Sequence, residues 1–201
     1  MHACPFKSAE SPGESIRAPA KNPSSIRARS PEAAERRLAL TDPAVHVVTD
    51  FLFQQPATVP EEFPIDNALR EMIRSGVRAL LVVRDEMVTG LITSYDIQGE
   101  RPLQFLTESG YRRHDEIEVG HIMTPWKRVP TLDWQALERA RVSDLTAFFR
   151  CTAATHVVLV EHTDQRNTAV RGLISRTQIE RRLGTLDLAG AEAAWAPRKM
   201  R

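Results

Sequence analysis

Cysteine is nearly absent: the 201 residues contain two, Cys4 in a polar stretch and Cys151 in an apolar one. Two cysteines so far apart make no disulfide framework and point to a reducing compartment, so the cytoplasm is the expected location. Long apolar runs are missing too. None approaches the roughly 18 residues of a membrane span, and no apolar stretch of signal-peptide type follows the N-terminal charges. Charge of one sign is in short supply. A formal net charge of +1 gives no global case for nucleic acid or an anionic membrane. No Ser-His-Asp order, Gly-x-Ser-x-Gly elbow, phosphate-binding Walker loop or His-Glu-x-x-His pair is present, which removes the common catalytic classes. His2 and Cys4 are two metal-ligand types in a polar tail, too few for a site.

What is present is an ordinary globular composition, 42% hydrophobic and 26% charged, in a chain long enough for a sizeable core. Residues 1–40 are expected to be a disordered tail. Ser, Pro, Ala and Arg dominate them, apolar residues are isolated, and seven Lys and Arg stand against four Glu. An Ala-rich C-terminal tail is expected over 186–201. With both tails basic, the body between them is mildly acidic.

The body repeats itself. Ala79-Leu-Leu-Val-Val83 and His156-Val-Val-Leu-Val160 are buried-strand patterns. Each is followed by a second strand, Val88 to Thr93 and Val170 to Ser175, carrying Gly90-Leu-Ile-Thr93 and Gly172-Leu-Ile-Ser175. An amphipathic helix precedes each hairpin. Ile65, Leu69, Met72 and Ile73 form its stripe in the first copy, with Gly76 as stop; Val142, Leu145, Phe148 and Phe149 form it in the second. Before each helix stands a Val-Pro pair, Val59-Pro60 and Val129-Pro130, and before that a lead-in, Val48-x-x-Phe51 and Val119-x-x-Ile122. Short helices should follow the hairpins near 94–98 and 176–183, and a connecting helix should span 101–109. The expected fold is α+β, two β-α-β-β-α repeats packed with pseudo-two-fold symmetry. The first repeat takes 41–110 with the connecting helix, and the second takes 111–185.

These residues resemble a CBS-domain pair, the tandem module named after cystathionine β-synthase, and most resemble small stand-alone bacterial members. The family motif is Gly, two apolar residues, Thr or Ser, two of any kind, then Asp. Gly90 to Asp96 matches it in full; Gly172 to Gln178 matches except at its last position. The resemblance covers about residues 45–184. It implies a non-catalytic regulatory module that binds AMP, ADP or ATP between the repeats, with magnesium possible beside a polyphosphate, in a flat homodimer that acts on a protein partner. A structural scaffold with a degenerate ligand site is the alternative, and the neutral Gln178 fits it.

The chemistry of the candidate residues is sensible. Asp96 offers two acceptor oxygens to a ribose diol, and Thr93 a hydroxyl beside a helix N-terminus. The same spacing is that of a capping box, so helix capping is the competing role. Gln178 and Ser175 would make a weaker second site. The resemblance places Val59 and Val129 against an adenine ring, where plain core packing competes, and lets Thr58 and Arg128 present polar groups. It places Arg78 and His156 near phosphates. Arg78 could pair bidentately or simply be solvated, and His156 could equally be a packed core histidine. Trp126, Trp134, Phe148 and Phe149 are expected in the core or a dimer contact.

Overall fold

Two β-hairpins organise the chain, because its most continuous apolar, β-branched runs lie there. The computed structural model describes residue 6 and residues 16–19, 37–111, 113–162 and 168–184. Its elements in chain order are β1 (Ile16–Arg17), β2 (Thr49–Asp50), β3 (Thr58–Pro60), α1 (Ile65–Ser75), β4 (Ala79–Arg84), β5 (Met87–Thr93), α2 (Ser94–Gln98), α3 (Arg101–Ser109) and α4 (Val119–Ile122). Then follow β6 (Thr124–Pro125), β7 (Thr131–Asp133), α5 (Trp134–Glu138), α6 (Val142–Cys151), β8 (His156–His162), β9 (Thr168–Ser175) and α7 (Arg176–Leu183). The expected α+β repeat is therefore present twice: β3-α1-β4-β5-α2 and β7-α6-β8-β9-α7. Gly76 and Gly184 end α1 and α7 in the left-handed conformation that glycine adopts without a Cβ clash.

The pairing of the hairpins is the same in both copies. Ala79 faces Thr93 and His156 faces Ser175. The register shifts between Val82 and Val83, and again between Leu159 and Val160, so Thr89 and Arg171 are equivalent bulged residues. This alignment corrects the placing of the two Val-Pro pairs. Thr58 pairs with Leu81 on β4, whereas Thr131 pairs with the equivalent Val158 on β8. The counterpart of Thr58-Val59-Pro60 is thus Thr131-Leu132-Asp133, and Val129-Pro130 stands three residues too early to match it.

The lead-ins cross between the repeats. β2, at the start of the first repeat, pairs antiparallel with β9 of the second, Thr49 opposite Leu173 and Asp50 opposite Gly172. β6, at the start of the second, pairs with β5 of the first, Thr124 opposite Leu91 and Pro125 opposite Gly90. The exchange is reciprocal, and it carries apolar side chains with it. Ala44, Val47 and Val48 pack in the core of the second repeat with Leu132, Leu145, Phe148 and Leu159. Ile117, Val119 and Ile122 pack in the core of the first with Ile65, Met72, Leu80 and Ile92. The lead-in register expected from sequence is also shifted: Val119 is the counterpart of Ala44, not of Val48.

The exchange explains both motif glycines. A Cβ built on Gly90 would lie 2.7 Å from the Thr124 carbonyl oxygen and 2.6 Å from Met123 Sδ; one on Gly172 would lie 2.7 Å from the Thr49 carbonyl oxygen. Each glycine is where a foreign strand crosses the hairpin backbone.

A third cluster joins the two halves, from Ala79, Leu81, Val88 and Leu91 on one side and Val158, Val160 and Val170 on the other, with Trp126 and Val129 between. Ile16 completes it. The tail is not wholly outside the fold: Ile16–Arg17 forms β1, antiparallel to β5 and parallel to β9, and links both hairpins into one sheet of order β3-β4-β5-β1-β9-β8-β7. Leu38 is buried in the second core and donates its N–H to the Arg182 carbonyl oxygen. Phe6 meets Phe148 edge to face at 6.0 Å. The expected C-terminal tail lies outside the described residues. Ile73, expected on the buried stripe of α1, is 73% exposed; Ile65, Ala68 and Met72 are that helix's buried residues.

One polar lock is buried with the exchange. Asp50 on β2 accepts from Arg171 Nε at 3.0 Å and Nη2 at 3.1 Å, and Glu161 accepts from Arg171 Nη1 at 2.8 Å. The guanidinium also lies 4.2 Å from the Trp134 ring centroid. Burial pulls the Arg171 pKa down, but its hydrogen bonds to Asp50 and Glu161 outweigh that and raise it overall.

Gly90→Ala should cost about 1–3 kcal/mol, because its Cβ meets backbone that the exchange holds in place. Urea denaturation checks this; a change under 0.5 kcal/mol would mean that β6 does not cross β5 as described.

Candidate functional site

The ends of β5 and β8 open into a cleft of about 430 Å³ between the repeats. The first repeat and its connector supply Leu91, Thr93, Tyr95, Asp96 and Arg101; the second supplies Thr124, Arg128, Pro130 and the turn from Thr152 to His156. Such a volume lies within the range of small-molecule sites. Thr124 reaches the cleft only because β6 is exchanged onto β5.

Thr93 and Asp96 are set by a complete capping box. Asp96 N–H donates to Thr93 Oγ1 at 3.3 Å, and Asp96 Oδ2 accepts from Thr93 N–H at 2.8 Å and from Thr93 Oγ1 at 2.7 Å. The other oxygen, Oδ1, is paired with Arg101 Nη1 at 2.9 Å. That nitrogen also donates to the Ile122 carbonyl at 2.8 Å and to Thr124 Oγ1 at 3.2 Å. Asp96 therefore faces the cleft while already capping a helix and neutralising an arginine. The capping role that the spacing allowed is realised.

His156 lines the cleft and is 5% exposed. Its Nδ1 lies 3.0 Å from Thr155 Oγ1. Burial, and secondly the charge of Arg78, push its pKa from 6.5 down to about 4. At neutral pH it is an uncharged imidazole with hydrogen-bonding capacity, not a cation for a phosphate.

The candidates thus divide. Thr93, Asp96 and His156 are brought together. Arg128 and Pro130 line the same cleft, while Val129 between them is buried in the cluster joining the halves. Thr58, Val59, Arg78, Ser175 and Gln178 do not line it. Val59 packs in the core of the first repeat, and Thr58 lies beside it on β3. Arg78 is exposed; its counterpart in the second repeat, Thr155, is the one in the cleft. Ser175 stands at the N-cap of α7 without a side-chain cap bond, so copy two has lost the capping box as well as the acid.

Arg101 carried no role in the sequence analysis. It opens the connecting helix after a break at Gly99-Glu100, and only that break turns it back toward Asp96. Among the described residues no group of three His, Cys, Asp or Glu side chains could hold a metal ion.

Residues 48–101, which include the full motif of the first repeat, match the family model of the CBS domain. No curated protein matches the chain. Solved structures similar to it include a protein with CBS domains from Burkholderia ambifaria, 20% identical, covering 73% of this chain and 88% of that one at a TM-score of 0.47. A CBS-domain-containing protein from Agrobacterium tumefaciens is 18% identical over 64% of this chain and 84% of that one, at a TM-score of 0.47. A CBS-pair protein of Arabidopsis thaliana, solved in complex with AMP, is 20% identical over 74% of this chain and 98% of that one, at a TM-score of 0.47.

Two predictions follow from this geometry. Gln178→Asp supplies the missing acid three residues after Ser175 and should stabilise the fold by about 0.5–1 kcal/mol through a new cap; thermal denaturation reads the gain, and no gain would deny the equivalence of the two helix starts. The second concerns pH. Unfolded, His156 binds a proton below pH 6.5; folded, only near pH 4. The unfolded state then holds more protons between those values, so stability is full above 6.5 and falls as pH drops toward 4. Between pH 7 and 4.5 the native chain should lose about 2–3 kcal/mol more than His156→Gln, in which this contribution is gone. Equal losses in urea titrations would refute the assignment.

Proposed function

We propose that the chain is a non-catalytic regulatory module that binds an adenine nucleotide, AMP, ADP or ATP, in the cleft between its repeats and shifts its shape on binding. The observation that carries this is the convergence of Thr93 and Asp96 from one repeat with Arg128, Thr155 and His156 from the other around a cavity of about 430 Å³. A carboxylate and hydroxyls suit a sugar, arginines suit phosphate, and the Leu91 and Pro130 walls suit a base. Ligation across two repeats couples occupancy to their relative position, to the extent that the ligand prefers one arrangement. Magnesium beside a polyphosphate belongs to the same proposal. So does a homodimer acting on a protein partner. Among the described residues no helix is long and apolar enough to cross a membrane; a cytoplasmic setting rests on the sparse cysteines.

A scaffold without ligand has one observation in its favour: Asp96 is satisfied by Thr93 and Arg101 within the chain itself.

Thermal shift and calorimetric titration with AMP, ADP and ATP, with and without magnesium, separate the two. A ligand at a hundred times its Kd should add about 2.7 kcal/mol of stability, and Asp96→Asn, which can still cap α2, should abolish the gain. No response to any adenylate at millimolar concentration would leave the scaffold as the description.

A further inference from the structure

Asp96 has little capacity left for a ligand. A carboxylate offers about four lone-pair sites. Oδ2 spends two on the Thr93 N–H and Oγ1, at 2.8 and 2.7 Å, and Oδ1 is covered by the ion pair with Arg101 at 2.9 Å. A sugar diol brings two donors, and the oxygen still open to them is the one that Arg101 covers. The partners of Oδ2 are part of the helix cap and cannot leave without opening the start of α2. Arg101 can leave: its side chain is 45% exposed, and its other two contacts, the Ile122 carbonyl and Thr124 Oγ1, flank the same cleft. A phosphate offers the departing guanidinium a charge-assisted partner in place of the carboxylate, which a neutral hydroxyl does not. The cleft also holds a second arginine, Arg128, and the neutral His156, so an entering phosphate finds two arginines there beside the Asp96 carboxylate.

On the nucleotide reading given above, we propose that Arg101 is the specificity-determining residue of the cleft: it covers the diol position on Asp96 until a phosphate on the ligand draws its guanidinium away. The site then admits phosphorylated nucleosides and excludes nucleosides and free sugars, although base and sugar are the same. No bond is made or broken. The exchange replaces an internal ion pair by one ion pair and one chelated diol with the ligand.

The test is calorimetric titration of AMP and of adenosine into the full chain and into Arg101→Met, which keeps an apolar stem of similar reach. The native chain should bind AMP and not measurably bind adenosine. In Arg101→Met the AMP-to-adenosine preference should shrink at least about tenfold, with adenosine binding gained and AMP binding weakened. Arg101→Lys, which keeps the charge, should restore preference for AMP; a lysine variant that behaves like the methionine one would overturn the exchange of anions. A preference unchanged in Arg101→Met, with AMP still bound by the native chain, would overturn this inference and leave the nucleotide reading standing. If the native chain binds neither compound, the nucleotide reading fails first and this inference with it. Asp96→Asn, which keeps the cap acceptor, should lose AMP in every background.

Discussion

The close crossing of two backbones at Gly90 and Gly172 is the constraint on which the rest depends. Each crossing lets a short lead-in lie on the hairpin of the other repeat, with a carbonyl oxygen 2.7 Å from where a Cβ would be. Neither core is complete without it. Ile117, Val119 and Ile122 fill the first, and Ala44, Val47 and Val48 fill the second. A unit of about 65 residues is marginal by itself, because it buries too small a fraction of its surface. Exchange makes one folding unit of two such halves. It also builds the cleft, since Thr124 and Arg128 arrive there on the exchanged segment and its continuation.

Much of this architecture is legible locally. Buried strands are apolar and β-branched in unbroken runs, helix stops need a residue that tolerates positive φ, and the repeated Gly-Leu-Ile marks equivalent strands. What local pattern cannot carry is partnership between distant segments. The Gly90–Pro125 and Asp50–Gly172 pairings join residues far apart in the chain, and nothing in a two-residue strand has a period to detect. β1 is the extreme case: Ile16 stands alone in a polar tail, and only the apolar slot between β5 and β9 gives it a place. The Val-Pro pairs misled for a related reason. Repeats that differ in loop length keep hairpin register but not spacing upstream, so similar letters fall three residues apart in the fold. Ile73 fits the helical stripe by spacing, yet α1 buries a narrower face. For the site, Thr93 and Asp96 were legible as a motif and ambiguous in role, and the structure shows the cap formed. Arg101 was invisible because its contact depends on the turn between α2 and α3.

The pseudo-symmetric frame is filled asymmetrically, and the differences concern polar chemistry more than shape. Asp50 in β2 has Pro125 as its counterpart in β6, and Arg171 has Thr89. One crossing is thereby pinned by a bidentate ion pair, whereas at the other the Thr89 hydroxyl is buried without a partner. Breaking one partner of such a buried pair costs about 3–5 kcal/mol, although replacing both by apolar residues can be neutral. The pair thus works chiefly to fix which segment lies there, and in what register. The opposite crossing takes its polar link from Arg101, which joins Asp96 to Ile122 and Thr124 from the exposed side.

These two links differ in what can reach them. The Arg171 side chain is 14% exposed, closed in by Asp50, Glu161 and Trp134, so water and solutes have little access to it. The Arg101 side chain is 45% exposed at the mouth of a cavity, where a solute anion can compete for it. Another anion can replace the carboxylate there as a charge-assisted partner of the guanidinium, whereas removing one partner of the buried pair costs about 3–5 kcal/mol. One crossing is thus tied from inside the fold by Asp50 and Arg171, and the other from its exposed side by Arg101.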